Sequence, residues 1–319
     1  MQPIAIFFKE LVRDIFDVTF TLFKIMIPII IAIKVIEELG GIVILSAWIS
    51  PIMEFVGLPK ELGLVWATTM LTNIYAGLIV FINLDMQLTV AQVSILGSMM
   101  LLAHSLPIEA AIAKKAGVSL FATLFIRIGG GLFLAWLLNL TYQAGDFHTQ
   151  AAVSLWQPGA PSDIGYLSWA LSQLENFVVI FLVISVLLFV LKVLKLLGIE
   201  KLMAIMLRPF LRILGISKEA TNLTIIGVTL GLSFGGGLLI NEAKRGHIAA
   251  RDVFTAIMLL NLLHSLIEDT LLIMLIGADF YTIFWGRLIF SVVVVALISL
   301  GLRRFSDKTC EKYFYRSVS

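Results

Sequence analysis

The chain writes one pattern twice. Lys34, Val35, Leu39 and Gly40 recur in order as Lys192, Val193, Leu197 and Gly198, and Pro51, Gly57, Lys60 and Glu61 recur at the same offset as Pro209, Gly215, Lys218 and Glu219. After a two-residue insertion the offset becomes 160 and holds: Gly77 matches Gly237, Leu78 matches Leu238 and Val93 matches Val253. His104, Ser105 and Leu106 match His264, Ser265 and Leu266, while Glu109, Gly117 and Arg127 match Asp269, Gly277 and Arg287. Shared order and spacing over this length constrain the fold to two homologous halves. They cover about 1–142 and 166–306, joined by a linker, 143–165, that holds no Lys or Arg, and followed by a tail, 307–319.

Each half is a string of apolar runs. Hydrophobic residues make up 60% of the chain and charged residues 14%, against about 45–50% apolar in soluble domains. This is the composition of an integral membrane protein. Lipid leaves a backbone only helices or a closed barrel, and runs of about 20 residues are span-length helices, so an all-α architecture is expected. Helices are expected near 15–38, 42–57, 62–83, 91–113 and 118–142, and again near 168–194, 200–215, 220–241, 252–276 and 281–302. The N-terminal stretch MQPIAIFFKELVRDIFDV spaces its charges amphipathically and has no small-residue cleavage site, which reads as an interfacial helix leading into the first span rather than a signal peptide. The net charge is +2, with positives placed in connectors, so nucleic acid is not an expected partner. The single cysteine, Cys310, cannot form an internal disulfide.

The positive-inside bias orients these spans. Lys9/Arg13, Lys114/Lys115, Lys192/Lys195, Lys244/Arg245/Arg251 and Arg303/Arg304 fall on one side, and the linker 143–165 and 277–279 on the other. Five spans per half turn the second copy upside down. The expectation is a five-plus-five inverted repeat with both termini in the cytoplasm.

Inverted repeats in transporters surround midplane sites built from interrupted helices. The third helix of each half suits that role: one places Thr72, Asn73 and Tyr75 beside Gly77, the other carries Ser233 and Gly235-Gly236-Gly237. Helix breaks are therefore expected at Asn73–Gly77 and Ser233–Gly237. Gly227 and Gly231 also fit plain close packing of helices.

The fourth helix of each half carries His-Ser-Leu followed by acid. On helical spacing, Ser105 and Glu109 share a face beside His104, and Asn261, His264, Ser265 and Glu268 form a stripe edged by Asp269. Pro107 frees a carbonyl near Ala103. Ionisable groups in hydrocarbon are costly unless paired or facing a cavity, so Arg127 and Arg287 are expected as the ion-pair partners of Glu109 and Asp269. The cluster reads either as a packing network or as a binding and proton-coupling site. No cofactor is implied. Imidazoles and carboxylates also suit a divalent cation, with His104, His264, Glu268 and Asp269 as candidate ligands.

The repeated unit, TNIYAGLIVF or LSFGGGLLIN followed by a helix with HSLxx[ED], resembles the Gate or nucleoside-recognition domain. That domain occurs in spore maturation proteins A and B and in the membrane part of bacterial ferrous-iron permeases, and is related to concentrative nucleoside transporters. The resemblance spans about 17–140 and 175–302 and implies an inverted-repeat, permease-like fold with a broken-helix site. The cysteine-containing gate and the GTPase domain of an iron permease are absent.

Three function classes remain open. A secondary transporter for a small solute or ion accounts for the repeats and buried charges. A membrane scaffold or developmental factor would use the same charges structurally. An intramembrane hydrolase ranks last, because adjacent His and Ser point about 100° apart on a helix, so no enzyme activity is expected. The expected partners are the bilayer and a small substrate, with a homo-oligomer left open. The topology predicts that a cysteine replacing Ser154 is labelled only from outside, and one replacing Ser319 only from the cytoplasm. Labelling of both from one side would sink the inverted-repeat reading.

Overall fold

The computed structural model describes residues 4–84, 86–155, 165–245 and 248–316. The linker residues 156–164, the tail residues 317–319 and the side chain of Ser233 lie outside that description. The first half runs α1 (Ile4–Glu38), α2 (Gly41–Phe55), α3 (Leu62–Leu71), α4 (Ile74–Asn83), α5 (Val90–Leu102), α6 (Leu106–Lys115) and α7 (Leu120–Gly145). The second half runs α8 (Tyr166–Leu196), α9 (Ile199–Ile213), α10 (Lys218–Leu230), α11 (Leu232–Lys244), α12 (Ala250–Leu263), α13 (Leu266–Met274) and α14 (Tyr281–Leu302), before a short α15 (Asp307–Tyr313). The protein is an all-α membrane protein.

Five helical stretches among the described residues are long and apolar enough to cross a bilayer: Val90–Lys115, Leu120–Gly145, Tyr166–Leu196, Ala250–Met274 and Tyr281–Leu302. Ten crossing elements were expected from the sequence. Of the five elements not among them, four are too short, since α2 and α9 have 15 residues each and α3, α4, α10 and α11 are half-helices of 10 to 13, and the fifth is the first span, on α1. The expected interfacial helix and first span are likewise one continuous 35-residue element, α1.

Backbone punctuation follows the repeat. The left-handed turn residues pair off as Gly40 with Gly198 (φ 70° and 76°), Gly57 with Gly215 (74° and 78°) and Gly117 with Gly277 (84° and 90°). Matching helices of the two halves also lie antiparallel. Along α1 and α8 the ring contacts run Phe7–Phe189, Phe16–Phe181 and Phe23–Phe177. Along α7 and α14 they run Phe133–Phe290 and then Tyr142–Thr282.

The centre belongs to α5 and α12, whose residues Val93–Leu102 and Val253–Leu263 are buried throughout. By contrast α8 exposes Leu171, Leu174, Leu182 and Val186, as a helix whose outer face meets lipid requires. The C-terminal segment does not trail as a polar tail. Cys310 is buried, and the Arg316 and Ser119 amides donate to the Gly117 and Phe314 carbonyls at 2.7 and 2.8 Å.

Both third helices are interrupted, but not where the glycines suggested. The first break is at Thr72–Asn73, where Asn73 caps α4 by accepting the Ala76 amide at 2.9 Å. Gly77 lies inside α4, and it must be glycine for another reason: a Cβ there would overlap the Thr69 hydroxyl of α3. The second break is at Gly231, with φ of +97°, and α11 continues through Gly235, Gly236 and Gly237. One left-handed glycine is enough to end a helix, so the triplet is not needed for it.

The fourth helices are broken too. Each stops at the repeated motif and restarts after a serine in the left-handed region, Ser105 (φ 49°) and Ser265 (φ 48°). Such a residue costs roughly 1–2 kcal/mol when it is not glycine. Pro107 sits in the first turn of α6, where its missing N–H is harmless. The second half breaks identically with Ile267 in that place, so proline is not the cause.

These positions predict an ordered pair of effects. Gly231→Ala should lower the thermal midpoint, at a cost of about 1–2 kcal/mol from the strained φ. Gly237→Ala, in open space on a helix, should be neutral or stabilising by up to ~1 kcal/mol. The reverse order would return the break to the glycine triplet.

Candidate functional site

The breaks at Ser105 and Ser265 leave carbonyls without helical donors, and each half answers with a buried arginine. Arg127 donates through Nη2 to the His104 carbonyl at 2.8 Å. Arg287 donates through Nη2 to the His264 carbonyl at 2.9 Å and the Leu101 carbonyl at 3.3 Å, and through Nε to the Leu262 carbonyl at 2.8 Å. Both side chains are wholly buried. They stand at π-helical turns, Phe125–Gly129 and Tyr281–Gly286, a widening that often marks functional positions.

The two arginines differ in their acids. Arg127 Nη1 donates to Glu109 Oε2, as the repeat suggested. Arg287 and Asp269 form no ion pair, which corrects the symmetrical expectation. The Arg287 guanidinium is instead taken up by three carbonyls, leaving its Nη1 and the Asp269 Oδ2 buried without hydrogen-bond partners.

Where the bends meet, the two histidines touch. His104 Nε2 and His264 Nε2 are 2.8 Å apart, with ring centroids 4.7 Å apart. Glu109 Oε1 lies 3.1 Å from His264 Nε2 and 3.3 Å from His104 Nε2. On their other edges, His104 Nδ1 is 3.1 Å from the Met100 carbonyl and His264 Nδ1 is 2.6 Å from the Leu260 carbonyl. A carbonyl has no hydrogen to give, so Nδ1 carries the proton in both rings and each Nε2 presents a lone pair. Two imidazole nitrogens and a carboxylate oxygen thus converge with three lone pairs and no donor among them. Only a proton or a cation shared by the group satisfies that arrangement. Asp269 Oδ2 stands 3.9 Å from His104 Nε2, and all four residues are at most 7% exposed.

The other sequence-selected residues lie around this group. Glu268 accepts a hydrogen bond from the Tyr75 hydroxyl at 3.4 Å; of the three acids that the sequence offered, Glu109 is the one within 3.3 Å of both rings. The continuous polar stripe is corrected, since the chain bends between His264 and Glu268. Ser105 and Ser265 serve through backbone: the Ser105 amide donates to the Thr69 carbonyl at 3.1 Å, and both serine carbonyls accept the amide of the acid four residues on. Ser265 Oγ packs at the Gly231 break, 3.0 Å from where a Cβ would stand. Asn261 is fully buried on α12 with both amide atoms unpartnered. Asn73 is occupied as a helix cap.

Convergence of the two histidine motifs was expected from the repeat, and the direct imidazole contact is its closest form; sequence reasoning missed the carbonyl ligation by arginine and the left-handed serines. The signal for the contact was the match of His104 with His264: residues equivalent in a two-fold repeat touch each other only on the axis.

Fold and site together define a multi-helix membrane protein with a buried ionisable centre at helix interruptions. No protein-family model and no solved structure matches the chain. It is 28% identical over 289 residues to the uncharacterized membrane protein YvoD of Bacillus subtilis (strain 168), covering 90% of this chain and 91% of the relative.

Arg287→Ala is expected to lower stability by about 3–5 kcal/mol, because it strips three buried carbonyls of their guanidinium donor. Arg287→Lys should recover less than half of that, since an ammonium cannot reproduce the fork. Thermal unfolding in detergent measures both, and a lysine variant equal to wild type would show that charge alone matters.

Proposed function

We propose that the protein is a secondary permease of the bacterial plasma membrane, moving a small solute or ion by alternating access around the His104–His264–Glu109–Asp269 group. The observation that carries the reading is the convergence of three lone pairs in a buried place where interrupted helices meet. A purely structural network would close its own hydrogen bonds. This one leaves donorless lone pairs, an unpartnered Asp269 oxygen and an unpartnered Asn261.

The duplicated sequence pattern supports the same reading. Equivalent helices α1/α8 and α7/α14 run antiparallel, and the equivalent histidines meet each other, as an axis lying in the membrane plane demands. The Gate-domain resemblance adds the expectation of a permease-like fold. The alternative, a scaffold without transport, requires the charges only to hold the helices together.

The test is flux. Proteoliposomes carrying the protein and a trapped pH- or ion-sensitive dye are challenged with divalent cations, nucleosides and small organic anions. One class should evoke a saturable signal that Glu109→Gln reduces at least about tenfold while gel-filtration behaviour stays that of the wild type. Absence of any saturable, Glu109-dependent flux across the panel would favour the scaffold.

A further inference from the structure

The same group has a more specific chemistry. We infer that His104 Nε2, His264 Nε2 and Glu109 Oε1 form a three-ligand face for one divalent first-row transition-metal ion, which is the permease's substrate or its coupling ion. The inference rests on the site proposed above.

Its first support is the ring orientation. Each histidine anchors Nδ1–H on a main-chain carbonyl of its own helix, at 3.1 and 2.6 Å, and that is the outer contact that aims a metal-binding imidazole and sets its tautomer. Its second support is the spacing of the donors. Ligands about 2.1 Å from one ion lie about 3.0 Å apart along an octahedral edge and about 3.4 Å apart along a tetrahedral edge. The three donor separations here are 2.8, 3.1 and 3.3 Å, nearer the octahedral face. Two imidazoles and one carboxylate on a single face leave the opposite positions open, which suits an ion that must leave again. The third support is charge. Glu109 is held by Arg127 through its other oxygen, which fixes the ligand, and the two buried guanidiniums face three carboxylates, Glu109, Asp269 and Glu268. Asp269 Oδ2, buried and unpartnered, stands within reach of the same place as a further ligand or counter-charge.

Nitrogen donors select the ion class. Mg2+ and Ca2+ prefer all-oxygen sites, whereas imidazole with carboxylate suits Mn2+, Fe2+, Co2+ or Zn2+.

Chelator-stripped protein in detergent is titrated with Co2+, and bound metal is counted by mass spectrometry after gel filtration. We expect one Co2+ per chain with the weak visible bands of a six-coordinate ion, displaced by Zn2+ and not by Mg2+. Glu109→Gln and His264→Gln should each weaken binding by about 100-fold or more, while His148→Gln, at the far end of α7, leaves it unchanged. Where a variant fails to fold, Cu2+ bound to wild type reports the ligands directly: electron-spin-echo spectra should show coupling to two imidazoles. No saturable binding, binding that survives loss of both histidines, or Cu2+ without imidazole coupling would overturn the inference. Flux of another solute by a protein that binds no metal would defeat this inference and leave the permease reading standing. Saturable metal binding without flux of any solute would do the opposite.

Discussion

The structure depends on two guanidinium groups in places without water. A helix that stops inside a membrane protein strands carbonyls, and each stranded carbonyl costs several kcal/mol in hydrocarbon. Here α7 and α14, the next long helices in the chain, each send an arginine back to the carbonyls of the bend. Arg127 reaches the His104 carbonyl, and Arg287 reaches those of His264, Leu262 and, across the repeat, Leu101. Without these contacts the left-handed serines would have no compensation, the fourth helices would straighten, and the histidines would be directed away from each other.

The bend in turn creates the site. Interrupting α5/α6 and α12/α13 at the same motif turns both imidazoles toward a common point, while the main chain of α5 and α12 retains their Nδ1 protons. The acids are then placed by the short helices α6 and α13 one turn beyond each bend. Glu109 is drawn to Arg127, and the shorter Asp269 makes no ion pair with Arg287, whose Nε and Nη2 are committed to carbonyls while its Nη1 stays without a partner. The asymmetry of the cluster follows from one methylene and from which acceptors reach each arginine first.

Much of this was legible in the sequence, and what escaped has physical reasons. The repeat, the apolar runs, the interruption of the third helices and the Arg127–Glu109 pair follow from spacing and from the cost of isolated charge. The break positions did not, because a run such as Gly235-Gly236-Gly237 weakens a helix without ending it, whereas the lone Gly231 adopts the left-handed turn that ends one. The bends at Ser105 and Ser265 were hidden because serine carries no mark of a positive φ. Which of the three acids meets the rings was not legible, because helical spacing does not carry across a point where the helix stops. Long-range pairings such as Tyr75 with Glu268 depend on packing of the two halves and leave no trace in either half alone.

The histidine contact also bears on how this molecule could have arisen. A side chain that meets its own duplicate needs no partner from a different sequence, so the contact existed as soon as two copies of the ancestral half faced each other, whether fused or as separate chains. His104 and His264 are identical members of the repeated motif, while Glu109 with Asp269 and Pro107 with Ile267 are its differences. Two copies alike at every position would present two equivalent acids to the pair of rings; the shorter side chain at 269 gives the centre a preferred side.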